Sequence, residues 1–155
     1  MFDTNDHEYE IPFSGDPAVA LEVARTALLG QGFEIVDQSS GELRATGPGM
    51  NSTNQPPLCG ASEITFLVGT SAIVARARLG GVRKMKMFLW LFPPGLGLIV
   101  AVSFKLFGVP RSWIPLLAVA PWLVLSPILS SWIEKRTTKA VDSLARSMVQ
   151  VAEGD

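Results

Sequence analysis

Residues 87–104 read MFLWLFPPGLGLIVAVSF and residues 112–133 read SWIPLLAVAPWLVLSPILSSWI. Neither stretch holds a charged side chain over its 18 and 22 residues. As helices rising 1.5 Å per residue they extend roughly 27 and 33 Å, against a bilayer hydrocarbon core about 30 Å thick. Two such runs in tandem predict a transmembrane helical hairpin. The flanks agree. Arg83, Lys84 and Lys86 precede the first run, Lys135, Arg136 and Lys139 follow the second, and the connecting segment holds only Lys105 and Arg111. The positive-inside bias then places both termini in the cytoplasm and the short loop on the far side, as in a multi-pass protein of the cell membrane. Trp90, Trp113 and Trp132 stand near the ends of the runs, where amphipathic rings prefer the interface, and Trp122 is expected to pack against the other helix.

Proline interrupts both runs. Pro93 and Pro94 fall in the first, and Pro115, Pro121 and Pro127 in the second. Pro115 suits a first helical turn behind a Ser112 cap, whereas Pro121 and Pro127 are each expected to remove an interior hydrogen bond. The hydroxyls of Ser126, Ser130 and Ser131 are available to satisfy the carbonyls so freed. The pattern admits a gate or broken-helix site, a kinked anchor, or a shallow hairpin within one leaflet. The lack of any ionisable residue in the runs favours an anchor, because ion and proton pathways usually need one.

Outward from the hairpin, the rest of the chain reads as a small α+β unit. A strand is expected at 8–13, with Tyr9, Ile11 and Phe13 on one face. Asp16-Pro17 then opens a helix as N-cap and first residue, its apolar face formed by Ala20, Leu21, Ala24, Ala27 and Leu28, and Gly30 or Gly32 ends it. Further strands are expected at 33–37, 43–46, 62–68 and 72–79, followed by a Gly80-Gly81 hinge into the membrane. After the hairpin, residues 134–152 carry Val141, Leu144, Met148 and Val151 at helical spacing. About 80 upstream residues make a thin core with one helix. The C-terminal helix is therefore expected to pack back on the mostly antiparallel β-α-β-β-β-β sheet, with a coiled-coil seam between protomers as the rival use of its stripe. The domain organisation is then 1–81 as an α+β domain, 82–133 as the transmembrane hairpin, and 134–155 as the helix that completes the domain.

Charge is divided unevenly. Residues 1–63 hold ten acids and two bases, and the remainder eleven bases and four acids. The simplest partner for the basic half is a lipid bilayer, with Arg83, Lys84, Lys86, Lys135, Arg136 and Lys139 as candidate contacts to anionic headgroups. Nucleic acid is not expected, since the bases flank apolar runs rather than forming one patch with interleaved aromatics. The acidic N-terminus resembles neither a secretory signal nor a myristoylation site, which needs glycine where Phe2 stands. The single cysteine, Cys59, excludes an intrachain disulfide and fits a reducing compartment.

No constellation for catalysis, cofactor or metal emerges. His7, the one histidine, neighbours Glu8 and Glu10, but these alternate along a strand and no second histidine exists. Cys59 has no cation or base nearby in sequence and reads as an inert loop thiol. The unpatterned loop 47–60 is long for a compact domain, and Gly47, Pro48, Gly49, Met50 and Asn51 are its candidate ligand- or partner-contacting residues. Its glycines lack phosphate-loop spacing, and Asn51-Ser52-Thr53 matches a glycosylation triplet only by chance if the domain is cytoplasmic. The expectation is a non-enzymatic, membrane-tethered module for protein interaction, scaffolding or small-ligand sensing, with a protein partner or a second copy as its counterpart. The alternatives are an oligomeric transport or channel component, and an enzyme on a membrane-associated substrate drawing on residues such as Glu63 and Arg44.

Overall fold

The computed structural model describes residues 6–51, 55–108, 113–117 and 119–154. They divide into two compact units, Met1–Arg83 with Ile133–Asp155, and Lys84–Trp132. The first unit is α+β. Its five strands, β1 (Asp6–Pro12), β2 (Glu34–Gln38), β3 (Glu42–Thr46), β4 (Glu63–Val68) and β5 (Ala72–Arg78), form one antiparallel sheet in the order β1-β5-β4-β3-β2. Strands β2 to β5 make a meander, and β1 closes the far edge beside β5. Four antiparallel steps leave β1 and β2 running the same way, so the link between these two edges must cross the sheet. Helix α1 (Pro17–Gly30) makes that crossing.

Local chemistry sets the ends of α1. The Asp16 carboxylate accepts from the Ala18 amide at 2.8 Å, and Pro17 takes the first helical position, where its missing N–H costs little. Of the two candidate terminators, Gly32 is the one that stops the helix: it adopts φ +80°, the left-handed conformation a helix C-terminus favours glycine for, while Gly30 is still helical. Strand β2 begins one residue later than expected and carries a bulge between Ile35 and Asp37, which turns Val36 out to solvent.

Alternation along the strands sends Leu43, Ala45, Ile64, Phe66, Ile73, Ala75 and Ala77 to one face. There they meet Ala20, Leu21, Ala24 and Leu28 of α1, and Val141, Leu144, Ala145 and Met148 of α4 (Ala120–Glu153), in one buried cluster. Three of the four residues of the C-terminal stripe thus lie in the chain's own core, which removes them from any interprotomer seam; Val151 is exposed. Polar contacts fasten α4 along β1. His7 Nε2 lies 2.7 Å from Asp142 Oδ1, Arg146 Nε donates to the Tyr9 hydroxyl at 3.1 Å, and Ser14 donates through both its amide and its hydroxyl to Glu153. The spacing matches: two strand residues advance about 6.8 Å and four helical residues about 6 Å, so 7/9 and 142/146 stay in step.

The expected glycine hinge is instead the first turn of helix α2 (Gly80–Leu106). A Cβ at Gly81 would stand 2.8 Å from the carbonyl oxygens of both Cys59 and Gly60, and one at Gly80 would run into the Ser62 side chain, so these glycines permit close packing rather than bending. The end of the 47–60 loop is likewise ordered. Pro57–Gly60 forms a 3-10 turn, with Leu58 and Cys59 each 3% exposed.

In the second unit, α2 and the segment comprising α3 (Ile114–Leu117) and α4 are long and apolar enough to cross a membrane. The second run is not one continuous helix, since a turn at Val119 separates α3 from α4. Pro121 is consequently the second residue of α4, where it breaks no hydrogen bond, and among the described residues only Pro93, Pro94 and Pro127 lie inside helices. The proposed Ser112 cap, Arg111, and the Ser52 and Thr53 of the triplet lie outside the described residues. The missing N–H of Pro93 frees the Leu89 carbonyl four residues back. Ser126 Oγ, 2% exposed, donates to that carbonyl at 3.1 Å. A serine on one apolar helix thus repairs a proline defect on the other. Ser126→Ala is expected to cost about 0.6–1.7 kcal/mol in thermal unfolding in mild detergent, the range for such bonds between apolar helices. The cost should shrink when Pro93→Ala restores the internal donor, and a double-mutant cycle reads the difference.

Candidate functional site

Strand alternation also builds the face of the sheet that no helix covers within the first unit's core. The register aligns Glu8, Arg76, Thr65, Arg44 and Asp37 in one row across all five strands, with Arg78, Glu63 and Thr46 in the next. Arg76 pairs with Glu8 at 3.2 Å, and Glu63 receives both Arg44 and Arg78. Sequence reading missed this row, because its members are far apart in the chain and become neighbours only once the strand order is fixed. The signal was present in the outward positions of each alternating strand.

Glu63 sits at the centre of the charge cluster, its side chain 18% exposed. Partial burial pushes its pKa up, but the hydrogen bonds and charges of Arg44 and Arg78 outweigh that, and the carboxyl is held below the usual glutamate range. It therefore stays ionised near neutral pH and is a poor proton donor. Glu63 and Arg44, the residues the enzyme reading draws on, engage each other. Because the folded-state pKa is depressed, the stabilisation is present above the unfolded glutamate value and lost as pH falls through the folded one. Glu63→Gln should cost roughly 0.5–1 kcal/mol at pH 7. The difference from the parent protein should shrink as pH falls through that depressed folded-state pKa and vanish below it, as read by denaturant titrations across pH.

The other candidates separate. His7 turns inward to Asp142 while Glu8 turns outward to Arg76, as alternation along a strand demands. Among the described residues no three His, Cys, Asp or Glu side chains stand together as a metal site would require. Cys59 is buried, and desolvation pushes its thiol up, only partly offset by a backbone hydrogen bond. Burial limits reagent access to it, so its labelling reports local opening rather than sidedness.

The 47–51 segment is split between packing and exposure. Gly47 lies against the Ala61 carbonyl and the Phe33 ring, Met50 is 8% exposed, and Gly49 takes φ +80°. Pro48 and Asn51 face outward, and the Asn51 amide donates to Gln55 Oε1 at 2.6 Å. Only the exposed half of this segment is available to a partner.

The six basic candidates flank the apolar helices at two sequence positions: Arg83, Lys84 and Lys86 in the first turns of α2, and Lys135, Arg136 and Lys139 in α4 just beyond Ile133. All but Lys86 are exposed. Nearby, Thr137 is fully buried against Gly60, and its hydroxyl has no hydrogen-bond partner among the described residues.

No protein-family model, curated protein or solved structure matches the chain, so the functional reading rests on these residues alone.

Proposed function

We propose that the chain is a membrane-tethered, non-enzymatic module. Its α+β unit works at the cytoplasmic surface in protein interaction, scaffolding or small-ligand sensing. Helix α2 and the α3–α4 segment cross the bilayer, and both termini are cytoplasmic. One observation carries the membrane assignment. In the most apolar window of α2 only 6% of residues are buried, whereas the core helix of a water-soluble fold would hide such residues. Leu91, Leu98 and Ile99 are 65%, 58% and 64% exposed, a surface that calls for a hydrocarbon solvent.

Two further features support the reading. The Ser126–Leu89 bond satisfies a carbonyl freed by proline, as an apolar medium requires. The basic residues border the apolar segments, where anionic headgroups would meet them. The non-enzymatic reading is supported by an open sheet face whose charges neutralise one another and by a buried thiol whose pKa desolvation pushes up.

The test is extraction of membranes with alkaline carbonate, joined to labelling of Val36→Cys on a Cys59→Ala background, since Val36 is 60% exposed. Retention in the pellet, with labelling by an impermeant reagent only after permeabilisation, is the expected result. Release into the supernatant would refute the membrane assignment, and labelling of intact cells would invert the topology.

A further inference from the structure

The surface of α2 is not uniform. Two grooves run side by side along it, and both lie within the second unit. One, of about 450 Å³, is bounded by Leu89, Pro93, Gly97 and Val100 on α2 and by Pro115 and Trp122 across from them. The other, of about 420 Å³, runs from Lys84 past Met87, Leu91 and Gly95 to Ile99. Phe88, Phe92 and Leu96 form the wall common to both. Phe88 and Phe92 are stacked, with ring centroids 4.7 Å apart and planes inclined by 18°.

Simple sequence chemistry makes this relief. At 100° per residue, Leu89, Pro93 and Gly97 project to one side of the Phe88–Phe92 ridge, and Lys84, Leu91 and Gly95 to the other. A Cβ at Gly95 would meet nothing within 4 Å, so the floor of the second groove is open because that residue has no side chain. Both volumes lie in the range of ligand pockets. Apart from Lys84, no charged side chain among the described residues lines either groove.

We propose that this face of α2 binds one anionic, two-chain phospholipid. Its acyl chains lie one in each groove, astride the Phe88–Phe92 ridge, and its phosphate sits at Lys84. This rests on the membrane reading above. Charge and length commit the occupant. The cation stands at one end only, and from Lys84 to Ile99 the groove descends about 22 Å, more than the roughly 15 Å depth of one leaflet's hydrocarbon. A transmembrane partner helix has no need of cations at the mouth, and a zwitterionic lipid carries its own cation beside its phosphate, which offsets what Lys84 and its neighbours Arg83 and Lys86 would gain.

The experiment is native mass spectrometry of the full-length protein released from nanodiscs of equal phosphatidylglycerol and phosphatidylcholine. The parent, Lys84→Ala and Gly95→Leu are compared, and carbonate extraction of each variant is run in parallel. The parent is expected to retain one phosphatidylglycerol in preference to phosphatidylcholine. Lys84→Ala should lower that preference about fivefold, the contribution of one base near an anionic surface. Gly95→Leu starts from a Cβ that meets nothing within 4 Å, fills the open floor and should reduce retention of either lipid. A parent that retains both lipids equally or neither, or variants that behave as the parent does, would overturn the site while leaving the membrane reading intact. Release by carbonate would overturn the membrane reading itself. A dimer that carries no lipid would assign the face to a second copy instead.

Discussion

Phe66→Ala should lower the unfolding free energy of the α+β unit by about 3–5 kcal/mol, the usual range for truncating a buried phenylalanine. Phe66 is fully buried on β4, the central strand. Its cross-strand neighbours on the two sides are Leu43 and Ala75. Alanine at position 75 leaves room that the ring occupies, so little flanking bulk exists to collapse into the void. A loss of this size is a large fraction of a typical domain's stability. The readout must be chosen with care, because all four tryptophans lie between residues 90 and 132. Intrinsic fluorescence would follow the apolar helices. Protection of the Cys59 thiol in mild detergent, in the turn that precedes β4, follows the α+β unit. A loss under 1 kcal/mol would mean that the β4 row is not the packed centre described here.

Gly81→Ala should be nearly as damaging, although it adds one carbon to a helix and alanine is the better helix former by about 1 kcal/mol. The new methyl would stand 2.8 Å from two carbonyl oxygens, those of Cys59 and Gly60, and both are backbone atoms that no rotamer change can move. Overpacking of this kind costs roughly 1–3 kcal/mol, which multiplies the population of the opened turn by about 5- to 150-fold. Cys59, 3% exposed, lies in that turn, so its labelling rate in native conditions should rise by the same factor. Gly95→Ala is the control. It makes the same chemical change in the same helix at a site with nothing within 4 Å, and it should leave Cys59 protected. Equal labelling of the two variants would show that the turn does not rest on the start of α2.

Much of the secondary structure was legible because its signals are local. The Asp16-Pro17 pair starts α1 through a carboxylate that accepts from the amide two residues on, and alternation around Ile64, Phe66 and Ile73 marks strands that bury one face. The two apolar runs needed only a count of uncharged residues. Features that rest on nonlocal contact were misread. Gly80-Gly81 looks like a hinge in sequence, since glycine is flexible in isolation, and only the approach of the 57–60 turn shows it to be a packing device. Pro121 looked like an interior defect until the turn at Val119 restarted the helix just before it.

The candidate site was less legible than the fold. His7, Glu8 and Glu10 are adjacent in the chain, yet the pleat sends His7 to α4 and Glu8 to Arg76 on opposite faces. Glu63 and Arg44 are separated by eighteen residues, yet antiparallel pairing of β3 with β4 brings them into contact.

By itself, then, the sequence determined where charge is absent, where the chain must turn, and which residues face inward. Those properties depend on side-chain solvation and on backbone preferences over a few residues. Tertiary structure alone decided the order of the strands. It also decided the Arg–Glu row on the open face and the repair of Pro93 by Ser126. Each of these joins residues tens of positions apart, and such contacts are favourable only once the intervening chain has been ordered, so no local signal carries them.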